Sequence, residues 1–147
     1  MSPATAPERH QDAADELVAL SQALGLYARR LEVAVPEPPS LNHAYATVNG
    51  RRVLSRDGRA FKEGAALIIR AAAAAQGFTV PPRAPLRLGF RFYFRNPARD
   101  GSNAVKLIED AAGEALGFND KFVVAQWWTK AIDRAEPRAE LVLEVLE

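Results

Sequence analysis

Residues 84–96 constrain the fold more than any other part of the sequence. Apolar and polar residues alternate strictly along this segment, which is the pattern of a β-strand with one face in the core. One face carries five large apolar residues: Leu86, Leu88, Phe90, Phe92 and Phe94. The opposite face carries Arg87, Gly89, Arg91, Tyr93 and Arg95. The segment therefore predicts a half-buried strand with a basic outer face.

Shorter patterns predict the other elements of the fold. Residues 31–35 are rich in β-formers, and Asn49-Gly50 between β-forming residues predicts a hairpin within 46–55. Helical periodicity covers 56–77 and 102–117, and further strands are predicted over 122–132 and 138–146. This βαβαββ-like order predicts an α+β fold with a mixed β-sheet and helices on one face.

Both predicted helices are amphipathic. The apolar face of the first is assigned to Phe61, Ala65, Ile68 and Ala72. The apolar face of the second is assigned to Val105, Ile108, Ala112 and Leu116. Gly77 is expected to end the first helix. Segment 36–45 is expected to form no regular structure, because its three prolines remove backbone donors.

An extra N-terminal helix is predicted within 9–29, where Leu17, Leu20, Leu24 and Tyr27 recur at helical spacing. We divide the chain into residues 1–29, a tail and amphipathic helix, and a main domain over 30–147. The 147 residues include no cysteine and carry a net charge of +1. No apolar run reaches the ~20 residues that cross a membrane, and the N-terminus lacks the layout of a signal peptide. We therefore expect a cytoplasmic protein without a membrane partner.

Two aspartates fall in loops at the ends of predicted elements. Asp100 follows the arginine-bearing strand, and Asp120 lies between the second helix and the next strand. Such loops often carry functional sites, and two carboxylates brought together there would suit Mg²⁺. Lys106, at the start of the intervening helix, would stabilise negative charge on a phosphate. Carboxylates at loop ends are common, however, and the sequence alone does not establish that these two meet.

Arginines form two local groups although the net charge is near zero. One group, on the outer face of the long strand, runs toward Arg99 and comprises Arg87, Arg91 and Arg95. The other comprises Arg51, Arg52, Arg56 and Arg59. A local basic stripe can bind phosphates, and solvated surface arginines are the simpler alternative. A stripe of this kind would recognise the shape and backbone of DNA rather than its bases.

Four short motifs occur in a fixed order along the chain. They are PEPPSLN (36–42) followed by Tyr45, SRDGRAF (55–61), RDGSNAVK (99–106) and NDKFV (119–123). In this order, with matching elements between them, they resemble the RusA family of Holliday-junction resolvases. The resemblance covers residues 31–146, which is nearly everything except the predicted N-terminal helix.

The resemblance implies a small homodimeric endonuclease that binds four-way DNA junctions and makes paired nicks in opposing strands. It implies Mg²⁺ as the cofactor, and the sequence leaves Mn²⁺ open as the alternative. No organic cofactor is expected. By motif position, Asp100 and Asp120 would be metal ligands and Lys106 the catalytic lysine. DNA contacts are assigned to Arg87, Arg91, Arg95, Arg99, Asn42 and Lys121. Enzymes of this kind often belong to phages and prophages.

Ser102 departs from the family pattern, which has a second aspartate at that position. The lost charge should weaken metal binding, and three interpretations follow. Ser102 is a metal ligand, directly or through water; it is the N-cap of the following helix; or the protein binds junctions with reduced activity. Asn103 is expected to bond the loop backbone and hold Asp100 in place. Asp110 is expected to pair with Lys106, with a role as replacement carboxylate as the alternative.

Two other functions stand as alternatives. One is a catalytically weak or inactive protein that keeps the fold and binds branched DNA, which Ser102 favours. The other is a protein–protein module that uses the N-terminal helix. Trp127 and Trp128 are adjacent on a predicted strand and should face opposite ways. One is expected in the core and the other on a stacking surface or a dimer interface.

Overall fold

A computed structural model describes residues 29–146, so the helix predicted within 9–29 lies outside the described residues except for its last position. The chain runs from β1 (Arg30–Pro36) through a one-turn helix, α1 (Leu41–Ala44), into the hairpin strands β2 (Tyr45–Val48) and β3 (Arg51–Leu54). Helix α2 (Arg56–Gln76), β4 (Leu86–Phe94) and α3 (Gly101–Leu116) follow. A 3₁₀ turn (Asp120–Phe122) leads into β5 (Val123–Ile132) and then β6 (Arg138–Val145). Over the described range, no helix combines the length and the apolar character needed to cross a bilayer.

Four strands form one mixed sheet in the order β1-β6-β4-β5. β6 pairs antiparallel with both β1 and β4, whereas β4 and β5 are parallel. β2 and β3 pair with each other in a separate two-stranded ribbon. The buried cluster joins α2 and α3 to a single face of the sheet. The predicted α+β fold, with a mixed sheet and helices on one face, is therefore confirmed.

The alternation predicted for β4 is confirmed, since its five apolar residues are between 0% and 1% exposed. On α3 the predicted face is also buried, with Leu116 partly so. On α2 the assignment of Ile68 to the core was wrong, because Ile68 is 37% exposed and Ile69 is buried. One residue turns a helix by about 100°. The buried face of α2 therefore includes Ala65, Ile69 and Ala73, and it is rotated from the assigned one.

The proline segment contains one regular turn that was not predicted. His43 and Ala44 donate their backbone amides to the Ser40 carbonyl, at 3.0 and 2.8 Å, and form α1. All three prolines precede Ser40, so the residues of α1 keep their backbone donors and can form these bonds. The expectation of no regular structure therefore holds for residues 37–40 and fails for Pro36, which ends β1, and for residues 41–45.

The hairpin prediction is confirmed by the backbone at its tip. Asn49 and Gly50 have φ angles of 51° and 75°, in the left-handed region that two-residue hairpin turns require. Val48 and Arg51 pair on either side of this turn. Gly77 likewise ends α2 in a left-handed conformation, with a φ of 64°.

Gly89 on β4 is required by the ring of Trp127. A Cβ atom at position 89 would lie 2.0 Å from Trp127 Cζ2, whereas one at Gly64, on α2, would meet no atom within 4 Å. We expect Gly89→Ala to lower the free energy of unfolding by about 1–3 kcal/mol, as overpacking does. Urea denaturation would measure it, with Gly64→Ala as a control that should not destabilise. Equal stability of the two variants would contradict this packing.

Candidate functional site

Asp100 is the N-cap of α3 and is held by several hydrogen bonds. Its Oδ1 accepts from the Ser102 amide at 2.9 Å and from the Ser102 hydroxyl at 2.8 Å. Asn103 Nδ2 donates to Oδ2 at 3.4 Å. The bonds from Ser102, and then the charge of nearby Lys130, hold the pKa of Asp100 below its usual value. The site thus has an exposed carboxylate that stays ionised and keeps a fixed orientation.

Ser102 does not cap α3, so that prediction was wrong. The cap is Asp100, whose carboxylate accepts from the amide two residues later, as capping side chains do. The Ser102 hydroxyl donates to Asp100 and so orients the carboxylate. Asn103 was expected to hold Asp100 through the loop backbone, but it does so directly through its side-chain amide.

Lys106 lies between two carboxylates. Its Nζ is 3.1 Å from Asp110 Oδ1 and 3.2 Å from Asp120 Oδ2. The predicted i,i+4 ion pair with Asp110 is confirmed. The bond from Asp110, followed by that from Asp120, raises the pKa of Lys106 above its usual value. Lys106 is therefore a stable cation, and its half-exposed side chain remains accessible to a ligand.

Asp120 is placed by a short capped turn. The side chain of Asn119 accepts a hydrogen bond from the Lys121 amide at 3.0 Å and starts the 3₁₀ turn that Asp120 opens. Asp120 lines a cleft of about 340 Å³ together with Asp110. Asp100 lines a different cleft, of about 230 Å³. Among the contacts of the described residues, Asp120 is joined to Lys106, and Asp100 is joined to neither of them.

The donor groups at this site fit a magnesium ion in their chemistry. Asp100, Asp120 and Ser102 are exposed and offer carboxylate and hydroxyl oxygens, which are hard ligands of the kind Mg²⁺ prefers. Within residues 29–146, no three His, Asp or Glu side chains form a complete metal-binding group. An ion held here would therefore rely on one or two carboxylates and on water, as Mg²⁺ commonly does.

Arg87 and Arg91 lie on the sheet face that points away from the helices, and both are paired with glutamates. Arg87 Nε and Nη2 donate to Glu144 at 3.1 and 2.9 Å. Arg91 donates to Glu140 at 3.2 Å and to Glu32 at 3.3 Å. The bond from Arg87 holds the pKa of Glu144 below its usual value. Their assignment to DNA binding stays a prediction, and these carboxylates neutralise part of the charge it needs.

Arg99 is closer to the aspartate site. It donates to Glu37 Oε1 at 3.1 Å and to the Pro38 carbonyl at 2.6 Å, which ties the loop before α3 to the proline segment. Arg99 and Asn42 both line the cleft that contains Asp100. The structure thus brings these two predicted DNA-binding residues to one side of the candidate site.

The two remaining predicted DNA contacts are exposed cations without a carboxylate partner among the described residues. The Arg95 side chain makes no described ion pair or hydrogen bond; its backbone amide donates to Glu37 at 3.2 Å. Lys121 Nζ lies 5.2 Å from the centroid of the Phe122 ring. Both side chains remain available to an anionic ligand, and their roles stay predictions.

Lys130 is a residue of this site that the sequence patterns did not single out. Its Nζ donates to the carbonyls of Pro97 and Arg99, at 3.0 and 2.7 Å. It thereby fixes the loop before Asp100 and adds positive charge beside it. Only the parallel pairing of β4 with β5 brings Lys130 to this loop, so no local pattern could have indicated it.

Trp127 and Trp128 face opposite sides of the sheet, as predicted. Trp127 covers Gly89, while the ring of Trp128 lies 6.4 Å from that of Phe92 and packs against Gly101. Neither tryptophan belongs to the buried core, and Trp128 is 44% exposed. The expectation that one would be a core residue was wrong, because β5 is an edge strand and is incompletely covered.

A comparison with known protein families matches residues 36–144 to the family described as Endodeoxyribonuclease RusA. The match spans all four motifs and most of the described chain. The chain belongs to the RusA family. This confirms the resemblance inferred from the motifs. A comparison with curated individual proteins finds no match.

Membership in the RusA family supports Holliday-junction resolution in general and implies endodeoxyribonuclease activity on branched DNA. The RusA match includes Asp100, Lys106 and Asp120, and it also includes the hairpin and the first turn of α2. The candidate site, the hairpin and the first turn of α2 therefore all lie within the family domain.

Proposed function

We propose that this chain resolves four-way DNA junctions by paired, metal-dependent nicks and acts as a homodimer. The observation that carries the proposal is the contact of Lys106 with Asp120, close to the start of the helix that Asp100 caps. These residues stand at the motif positions for which the resemblance implies a catalytic lysine and two metal ligands. The family supplies the class of substrate, which is branched DNA.

Asp100 and Asp120 would hold Mg²⁺, with Ser102 contributing through its hydroxyl or through water. When bound, the ion would polarise the phosphoryl group and supply hydroxide at neutral pH. The protein prepares Asp100 for this role, because bonds from Ser102 and Asn103 fix its orientation and the bonds from Ser102 lower its pKa. A carboxylate already ionised and oriented needs no rearrangement to act as a ligand.

Lys106 would donate a hydrogen bond to a non-bridging oxygen of the scissile phosphate. Such a bond strengthens as negative charge develops in the transition state. The ammonium is charged at neutral pH, and Asp110 fixes its position through the i,i+4 pair. Asp110 is thus a positioning residue in this proposal.

Exposed apolar residues on β5 support the homodimer. Val124, Trp128 and Ile132 are 63%, 44% and 40% exposed, and Trp128 and Ile132 lie on one face of the strand. β5 is an edge strand of the described sheet, and its outer edge has no partner there. Apolar residues on an open edge favour association with another chain. A second copy of this protein is the partner we propose.

A binding protein with weak or absent cleavage is the second candidate function. The observation that favours it is Ser102, which orients Asp100 but adds no negative charge. Such a protein would keep the fold and the DNA-binding surface.

Ser102→Asp is expected to lower the Mg²⁺ concentration needed for half-maximal junction cleavage by about tenfold, because a further carboxylate would strengthen metal binding. The experiment incubates a labelled four-way junction with the unmodified chain and the variant over a series of Mg²⁺ and Mn²⁺ concentrations. Ser102→Asn is the matched control, since it has a similar shape without the charge and should not lower the requirement. Symmetric nicks by the unmodified chain would support the proposed enzyme.

Two other results would count against it. Tight junction binding without nicks by the unmodified chain, with activity appearing in Ser102→Asp, would identify a junction-binding protein. Failure of every variant to bind or nick a junction would overturn the resolvase proposal.

A further inference from the structure

The hairpin of β2 and β3 stands outside the main sheet. Its strands pair only with each other among the described strands. Every residue from Ala46 to Val53 is exposed. Two of these are large apolar residues, Val48 and Val53, at 51% and 39% exposure. The proposed site of Asp100, Asp120 and Lys106 gives this exposed hairpin no role.

Four arginines gather on the hairpin and the first turn of α2, and we call them the basic ribbon: Arg51, Arg52, Arg56 and Arg59. All four are exposed, and no described carboxylate forms a salt bridge with any of them. Arg52 instead lies 4.7 Å from the centroid of the Tyr45 ring. Asp57 is the only acidic residue within 45–61, so this segment carries a net charge of +3 from four arginines and one aspartate.

Arginines on the main sheet have a different environment. Arg87, Arg91 and Arg138 each have a carboxylate partner within the described part of the chain. Their positive charge is therefore partly neutralised within the protein. The charge of the basic ribbon is not, so the ribbon is better suited than Arg87 and Arg91 to attract an external anion.

The hairpin that carries Arg51 and Arg52 starts beside the cleft that contains Asp100. Asn42 of α1 lines that cleft, and Tyr45, the first residue of β2, follows α1 directly. At the base of the hairpin, the Ser55 amide donates to the Ala44 carbonyl at 2.8 Å. A four-residue strand extends about 13 Å, so DNA engaged at Asp100 would have neighbouring phosphates within reach of the ribbon.

We infer that the basic ribbon binds the phosphate backbone of DNA beside the Asp100 cleft. The inference rests on the proposed function for the DNA that occupies the cleft, and it assigns contacts to residues that had no role there. Exposed guanidinium groups without partners match phosphates by charge and by hydrogen-bond geometry. Contacts of this kind are independent of sequence and weaken as salt concentration rises.

Arg51→Gln/Arg56→Gln tests the inference. The matched control is Arg70→Gln/Arg83→Gln, which also removes two exposed arginines without described carboxylate partners. Arg70 lies about 21 Å along α2 from Arg56. Affinity for a four-way junction and for a linear duplex is measured over a series of salt concentrations without metal. We expect the slope of log affinity against log salt to become shallower by about 1.8 for the ribbon variant and to stay unchanged for the control.

The single variant Arg59→Gln is a second test. Its slope of log affinity against log salt is expected to be shallower by about 0.9. An unchanged slope in both ribbon variants would overturn the inference. The inference would also be overturned if the slope is unchanged but the sedimentation mass of a ribbon variant differs from that of the unmodified chain. That result would show that the ribbon contacts a protein. A shallower slope on duplex DNA from a chain that never cleaves junctions would support the ribbon while the proposed function fails. The two failures are therefore distinguishable.

Discussion

Asp120→Asn is expected to reduce junction cleavage by at least about 100-fold while junction affinity stays nearly unchanged. The substitution replaces a charged oxygen of the proposed metal site with a neutral amide, which is a weaker partner for Mg²⁺. The fold should tolerate the change, because Asp120 and Lys106 are 56% and 55% exposed. An exposed ion pair contributes at most about 1 kcal/mol. Single-turnover cleavage and metal-free junction binding would be measured on the same preparation.

Glu63→Gln is the matched control for Asp120→Asn. Glu63 is an exposed acid on α2 without a described side-chain partner, so its neutralisation changes the net charge equally. Cleavage by this variant should equal that of the unmodified chain. If Asp120→Asn instead leaves both cleavage and binding as they were, Asp120 is not a metal ligand and the inactive-binder alternative gains support.

Asp100→Asn and Asp100→Ala are expected to separate the proposed metal-binding role of Asp100 from its helix-capping role. Both variants lose the charge, so both should cleave junctions at least about 100-fold more slowly. Asparagine caps helices as well as aspartate does, whereas alanine does not. Only Asp100→Ala should therefore lower the melting temperature, by about 4 °C. Thermal denaturation beside the cleavage assay would show the difference.

A different pattern would contradict this division of roles. If Asp100→Asn cleaves normally and Asp100→Ala does not, the carboxylate serves only to begin α3, and the metal is held elsewhere. If both variants melt normally, the bonds from Ser102 to Asp100 do not stabilise the helix.

Elements with a strong local signal were predictable from the sequence. The alternation along β4 identified its buried face, because side chains on a strand alternate by geometry alone. The failures occurred where neighbouring residues are chemically equivalent. Ile68 and Ile69 are equally apolar, and only packing against β1 and α3 determines which one is buried. Asp100 and Ser102 are equally good caps, and only the backbone determines where α3 begins.

The candidate site was predictable as a set of residues but not as an arrangement. Motif order identified Asp100, Lys106 and Asp120 and placed Asp110 one turn from the lysine. The contact between Lys106 and Asp120 joins residues 14 positions apart, and that between Lys130 and Arg99 joins residues 31 apart. The first depends on how the 3₁₀ turn packs against α3, and the second on the parallel pairing of β4 with β5. No local periodicity specifies either.

The close packing of Gly101 against Trp128 links two surfaces of the protein. A Cβ atom at position 101 would lie 2.6 Å from Trp128 Cε3, so the ring leaves no room for a side chain beside Asp100. A larger residue at position 101 would require a smaller one at position 128, so the two positions cannot be substituted independently. Because Trp128 is also exposed on the edge strand, substitutions at that edge are limited by the geometry of the loop that carries Asp100.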